Sequence, residues 1–154
     1  PARQAQSIIT SQGLKIASIE YVPSQHENLV LYAKIDNKII DTGSKVPVGS
    51  KVVLVVGKGK LSETTSRLND FRGLAYDEAE MRIYRQSMNV GAVTYDIPPL
   101  NEKDKKEYVI YQQEPEAGSS VNLGTEVSLW LTKDKSKLEP DDSFNDEILE
   151  DLNF

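Results

Sequence analysis

The chain has 154 residues, no cysteine, a single histidine and a single tryptophan, and a net charge of −6. Without cysteine there are no disulfides and no thiolate metal sites, and one histidine rules out a histidine metal cluster. The charge is uneven: residues 1–133 balance 16 Lys/Arg against 16 Asp/Glu, while residues 134–154 hold 2 Lys against 8 Asp/Glu, so the main body carries no basic excess to attract nucleic-acid phosphates.

In chain order, the first predicted element is a helix carrying Ala5 and Ile9 on one face and ending at Gly13, a residue suited to a left-handed C-cap. A strand follows with Leu14, Ile16 and Ile19 turned to the core; the slip between 16 and 19 predicts a bulge. A second strand is expected over residues 28–35. His26 lies just before it, in Ser24-Gln25-His26-Glu27-Asn28, and reads as a surface-loop histidine, since neither a nucleophile elbow nor a cysteine accompanies it. The unit closes on the strand Lys51-Val52-Val53-Leu54-Val55-Val56. Gly57-Lys58-Gly59-Lys60 lacks the spacing of a phosphate loop and reads as a flexible exit. Gly59 to Arg67 is rich in Ser and Thr and reads as a linker.

The same pattern then recurs. Ala5, Ile9, Leu14, Ile16, Ile19 and Tyr21 match Ala79, Ile83, Met88, Val90, Val93 and Tyr95 at an offset of 74. Gly43, Val46, Gly49, Val52, Leu54 and Val56 match Gly118, Val121, Gly124, Val127, Leu129 and Leu131 at an offset of 75, which places one inserted residue after Tyr95. The second helix starts with Asp77 and Glu78, where carboxylates favour the positive end of the dipole, and ends at Ser87. A strand is expected over residues 107–112. The last strand points Val127, Leu129 and Leu131 one way and Glu126, Ser128, Trp130 and Thr132 the other. The reading is α+β, with two tandem units over residues 1–58 and 68–133. Each has one helix packed on a three-stranded, mostly antiparallel sheet.

Val109, Gln113, Pro115, Gly118, Val121, Gly124, Val127 and Leu129 carry a known signature. The segment Gly73-Leu74-Ala75-Tyr76-Asp77-Glu78-Ala79 resembles the same family's approach to its helix. In these residues the chain resembles the PASTA domain, the module named for penicillin-binding proteins and serine/threonine kinases. Departures are Leu68-Asn69 where the family usually opens with Val-Pro, and Lys38-Ile39-Ile40 in place of the Gln-x-Pro step of the first unit. The spacing resembles stand-alone envelope PASTA proteins of Bacteroidetes, in which an N-terminal membrane helix precedes several units. Because the chain begins at Pro1 within its first unit, that resemblance implies a piece of a longer protein, anchored by a segment upstream.

The resemblance implies a non-enzymatic envelope protein at the periplasmic face of the inner membrane. It implies binding of peptidoglycan or muropeptides, or a spacer role, with no cofactor and no nucleic acid. Three residues offer ligand contacts. Arg82 and Arg85, beside Tyr84 on the outward helix face, can grip a peptide-stem carboxylate, and Trp130 can cover a sugar ring. Contacts between the units are expected through Val53, Val55 or Trp130. Residues 134–154 read as a disordered acidic tail in which Phe144, Ile148, Leu149 and Leu152 form a helix-like apolar stripe. The alternative is a scaffold that binds an envelope protein through the inter-unit surface and this tail.

Overall fold

The structure is a computed structural model that describes residues 2–40 and 43–138; the expected acidic tail lies outside them beyond Leu138. Two separate hydrophobic clusters organise the chain. In the first, helix α1 (Ala2–Ser11) lays Ala2, Ala5 and Ile9 on Val52, Leu54 and Val56. Gly13 follows at φ +82, and Leu14 turns the chain into β1 (Lys15–Val22). β2 (Ser24–Ile35) and the short β3 (Lys38–Ile40) form a hairpin. Its turn residues Asp36 and Asn37 both have positive φ, the backbone that lets two residues reverse a twisted strand pair. β4 (Lys51–Lys60) is the central strand, giving the order β1-β4-β2-β3.

The second cluster is larger. Helix α2 (Tyr76–Arg85) buries Ala79 and Ile83 on β6 (Asn89–Tyr95), β7 (Val109–Glu114) and β9 (Glu126–Thr132), with Val127, Leu129 and Leu131 fully buried beneath it. Ser87 at φ +65 ends the helix region in the left-handed conformation. β9 is central, in the order β6-β9-β7. In both sheets the last strand runs parallel to the first and antiparallel to the second. The expected bulge is present twice, as register shifts at Ile16/Ser18 and at Val90/Val93.

The residues read as linker are largely strand. Gly59 and Lys60 continue β4, and β5 (Thr65–Arg67) pairs antiparallel with β8 (Ser120–Asn122). Ser and Thr suit such an edge pairing, where side chains stay wet while the backbone bonds are made. Gly57, read as part of a flexible exit, is buried in β4 against Ser24 and the His26 carbonyl. A short helix, α3 (Glu102–Lys105), is capped by the Asn101 side chain, which accepts from the Asp104 N–H at 2.8 Å. No helix among the described residues is long and apolar enough to cross a membrane.

Candidate functional site

The family-signature residues sit in the scaffold. Gln113 is buried on the helix-facing side of β7. Its side-chain oxygen accepts from the Phe71 N–H at 2.7 Å, and its amide nitrogen donates to the carbonyls of Asn69 at 3.0 Å and Pro115 at 3.1 Å. All three polar positions of that side chain are thus spent inside the unit, tying the approach to α2 onto the edge strand. Val127 and Leu129 are core, and Gly118 and Gly124 hold turns at φ +85 and +95.

The outer face of the second sheet is open. Trp130 lies there at mid-strand in β9, half-buried, opposite Thr94 of β6 and Gln112 of β7. Among the described residues no aromatic ring or cation stacks on it. A groove of about 410 Å³ runs along the neighbouring edge strand, lined in part by Arg72, Tyr111, Gln112 and Glu114. Arg72 is held by Asp70 through two bonds of 3.0 and 2.9 Å, and the guanidinium's hydrogen bonds pull the Asp70 carboxyl below its usual range. The face therefore combines one flat aromatic surface with amide, hydroxyl and carboxylate groups.

Arg82 and Arg85 are exposed on α2, which covers the opposite side of the same sheet. Arg82 Nε donates to Glu78 at 2.9 Å. The structure does not bring the arginines together with Trp130: the sheet lies between them. Tyr84, expected beside the arginines on the outward helix face, is instead at a junction. Its ring lies 4.1 Å from that of Tyr32 on β2, and burial raises the hydroxyl pKa of both tyrosines.

That junction also accounts for Val55, which is fully buried on the side of β4 away from α1 and pairs in register with Tyr32. Of the three residues expected between the units, Val55 shares the face of the Tyr32–Tyr84 contact. Trp130 is elsewhere. His26 is not in a loop: it belongs to β2, because the length of β4 lets the ladder continue as far as Ser24 and Lys60. Its Nε2 lies 3.3 Å from Glu126 Oε2, and Gln25 donates to the other oxygen of Glu126. Asn89 Nδ2 donates to the Pro23 carbonyl at 3.1 Å and to the Gly124 carbonyl at 2.8 Å. The cue in the sequence was a pair of tyrosines, Tyr32 and Tyr84, each outside the apolar stripe of its own element.

A second cleft, of about 290 Å³, lies among Asp96, Ile97, Tyr108, Thr132, Lys133 and Asp134. Its charges are mutually engaged. Lys133 reaches Asp104 at 2.7 Å and Lys137 reaches Asp96 at 2.8 Å; these bonds lower both carboxyl pKa values and raise both lysines. No group of three or more His, Asp or Glu among the described residues is placed to hold a metal.

Comparison with known proteins places this geometry. A family model described as PASTA domain matches residues 66–133. No curated protein matches the chain. Similar solved structures include the three-PASTA-domain region of a Ser/Thr kinase from Staphylococcus aureus. It is 20% identical, with a TM-score of 0.33, over 84% of this chain and 60% of that one. Another is the entire extracellular region of the Ser/Thr kinase PrkC from Staphylococcus aureus, 16% identical with a TM-score of 0.33, over 85% of this chain and 43% of that one. The chain thus spans less than two thirds of the length of either. PASTA domains are non-catalytic binding modules in the extracellular parts of envelope proteins. Residues 66–133 of this chain are a PASTA domain.

Proposed function

We propose that the chain is a non-catalytic wall-binding part of an envelope protein, recognising glycan or muropeptide on the outer face of its second sheet. PASTA domains are generally linked to peptidoglycan or muropeptide binding. The observation that carries the reading here is Trp130, with polar ladder partners on both sides and no ring stacked on it. A sugar ring presents an apolar face and a polar rim. An indole flanked by Gln112 and Thr94 meets both, stacking on the face while amide and hydroxyl bond the rim. Arg82 and Arg85, across the sheet, form in this reading a separate contact for stem carboxylates. Residues 1–58 serve as a second, PASTA-like unit before the matched one, and the protein faces the periplasm.

The test uses the single tryptophan, whose fluorescence reports on this face alone. Muropeptide is titrated into isotopically labelled protein while indole emission and amide shifts are followed. Saturable changes around β9 and β7 are expected. Trp130→Ala should weaken binding by about fivefold, corresponding to roughly 1 kcal/mol of aromatic contact. Saturable shifts untouched by Trp130→Ala would move the site elsewhere. No shift at millimolar ligand would leave a spacer or a protein-binding scaffold.

A further inference from the structure

The repeat makes the two ends of the molecule comparable, because the structure shows how one end of a unit meets the other. At the junction, the turn after β1 is the donor: Pro23 lies on Gly124 and accepts from Asn89, and Gln25 and His26 face Glu126. The acceptor is the turn before β9. A Cβ on Gly124 would meet Pro23 atoms at 2.6 to 2.8 Å.

The first unit has the same acceptor, built by the same bonds. Gly124 N–H donates to Ser87 O at 2.8 Å and Asn89 N–H to Thr125 O at 2.9 Å; Gly49 N–H donates to Gly13 O at 2.8 Å and Lys15 N–H to Ser50 O at 2.9 Å. Yet a Cβ on Gly49 would meet nothing within 4 Å. Beside it Val48 is 84% exposed, whereas its counterpart Leu123 is partly buried. The second unit likewise has an unused donor. With one residue inserted after Tyr95, Val22-Pro23 corresponds to Ile97-Pro98, in the turn Ile97-Pro98-Pro99-Leu100. Ile97 is 69% exposed and Leu100 88%. The three most exposed large apolar side chains among the described residues therefore occupy one empty acceptor and one empty donor.

The charges at these ends match. The acceptor carries Lys15 and Lys51, at the positions of Asn89 and Glu126, and the donor turn is followed by the exposed Glu102. The internal joint sets a histidine against a glutamate; here a glutamate meets lysines. We propose that the Ile97–Leu100 turn of one copy docks on the Gly49 turn of a second copy, head to tail, repeating the internal joint between molecules. Donor and acceptor are different surfaces, so the contact is heterologous and does not close at two copies.

The experiment is sedimentation of the full chain over a concentration series, with Leu100→Asp removing the donor and Val48→Asp the acceptor. Both side chains point into solvent, and amide spectra check that the fold is kept. The unaltered chain should grow past the dimer with concentration. Each variant should associate about tenfold more weakly or worse. An equimolar mixture of the two variants should form dimers and nothing larger, since each keeps one good end. Lys51→Glu should weaken association, and pairing it with a Glu102→Lys copy should restore it, an arm that holds if either aspartate variant misfolds. A chain monomeric at millimolar concentration, an assembly that stops at the dimer, or variants that associate like the unaltered chain would each overturn the proposal.

Discussion

Replacing Gly124 with alanine, and Gly118 as its control, separates the strain of a turn from the strength of the joint. Both glycines have left-handed φ, +95 and +85. Alanine in that region costs about 1–2 kcal/mol at either site. At Gly118 nothing lies within 4 Å of the new methyl, so the cost ends there. At Gly124 the methyl meets Pro23 carbonyl carbon and oxygen at 2.6 Å, and these are backbone atoms that cannot swing aside. Reaching ordinary contact moves the segment away by roughly an ångström. That shift breaks the Asn89–Pro23 bond, a loss of about 1 kcal/mol, and loosens the Tyr32–Tyr84 contact, a further loss of about 0.5–1.5 kcal/mol. Gly124→Ala should therefore cost about 2–4 kcal/mol in all, against about 1–2 for Gly118→Ala. Urea unfolding read by Trp130 fluorescence gives the stabilities, and solution X-ray scattering gives the arrangement of the two clusters. Gly118→Ala should lower the midpoint with an unchanged scattering curve; Gly124→Ala should lower it further and extend the particle. Equal midpoints with superimposable curves would refute the reasoning, because the joint would then not rest on that glycine.

Ile83→Ala removes a fully buried side chain between α2 and the sheet, and should destabilise the second unit by about 2–5 kcal/mol in chemical denaturation. Gln113→Leu keeps the volume but leaves the buried Phe71 N–H without its partner. It should cost about 1–3 kcal/mol and speed amide exchange at Phe71. The Asp96–Lys137 and Asp104–Lys133 pairs set a pH window. Their carboxyl pKa values are depressed, so their stabilisation is present above the unfolded value of about 3.9 and is lost as pH falls through the folded values. Their lysine values are raised, so that contribution is present below about 10.4 and is lost at higher pH as it rises through the folded values. Asp104→Asn should flatten both limbs of a plot of urea midpoint against pH.

The elements that bury a stripe were legible in the sequence. Val127, Leu129 and Leu131 alternate because a strand has a period of two, and Ala79 and Ile83 share a face because a helix turns in 3.6 residues. The slip between Ile16 and Ile19 marked the bulge, and Gly13 and Ser87 marked the helix ends. Long-range pairing left no such trace. Thr65–Arg67 looks like a linker because its backbone partner, Ser120–Asn122, lies far along the chain. Tyr84 looks like an outward residue because periodicity sorts a helix against one core only, and a second neighbour is invisible to it. The PASTA signature pointed to the family but not to a site, since Gln113, Gly118 and Val127 hold the scaffold together. Trp130 was visible because alternation put an aromatic where polar residues belong; that the arginines lie across the sheet from it required the fold.

The parallel pairing of first and last strands bears on how the chain would carry tension. A pull along the polypeptide draws β1 from its start and β4 from its end, and likewise β6 and β9. Side-by-side parallel strands pulled at opposite ends slide past one another, and every rung of the ladder is loaded at once. An antiparallel hairpin pulled at its open end unzips one rung at a time and yields to a weaker force. The short β5–β8 pairing and the helices lie outside these ladders and would let go first, lengthening the chain before either sheet is loaded. A segment strung between two anchors would in this way act as a spring with a soft initial extension and a stiff stop.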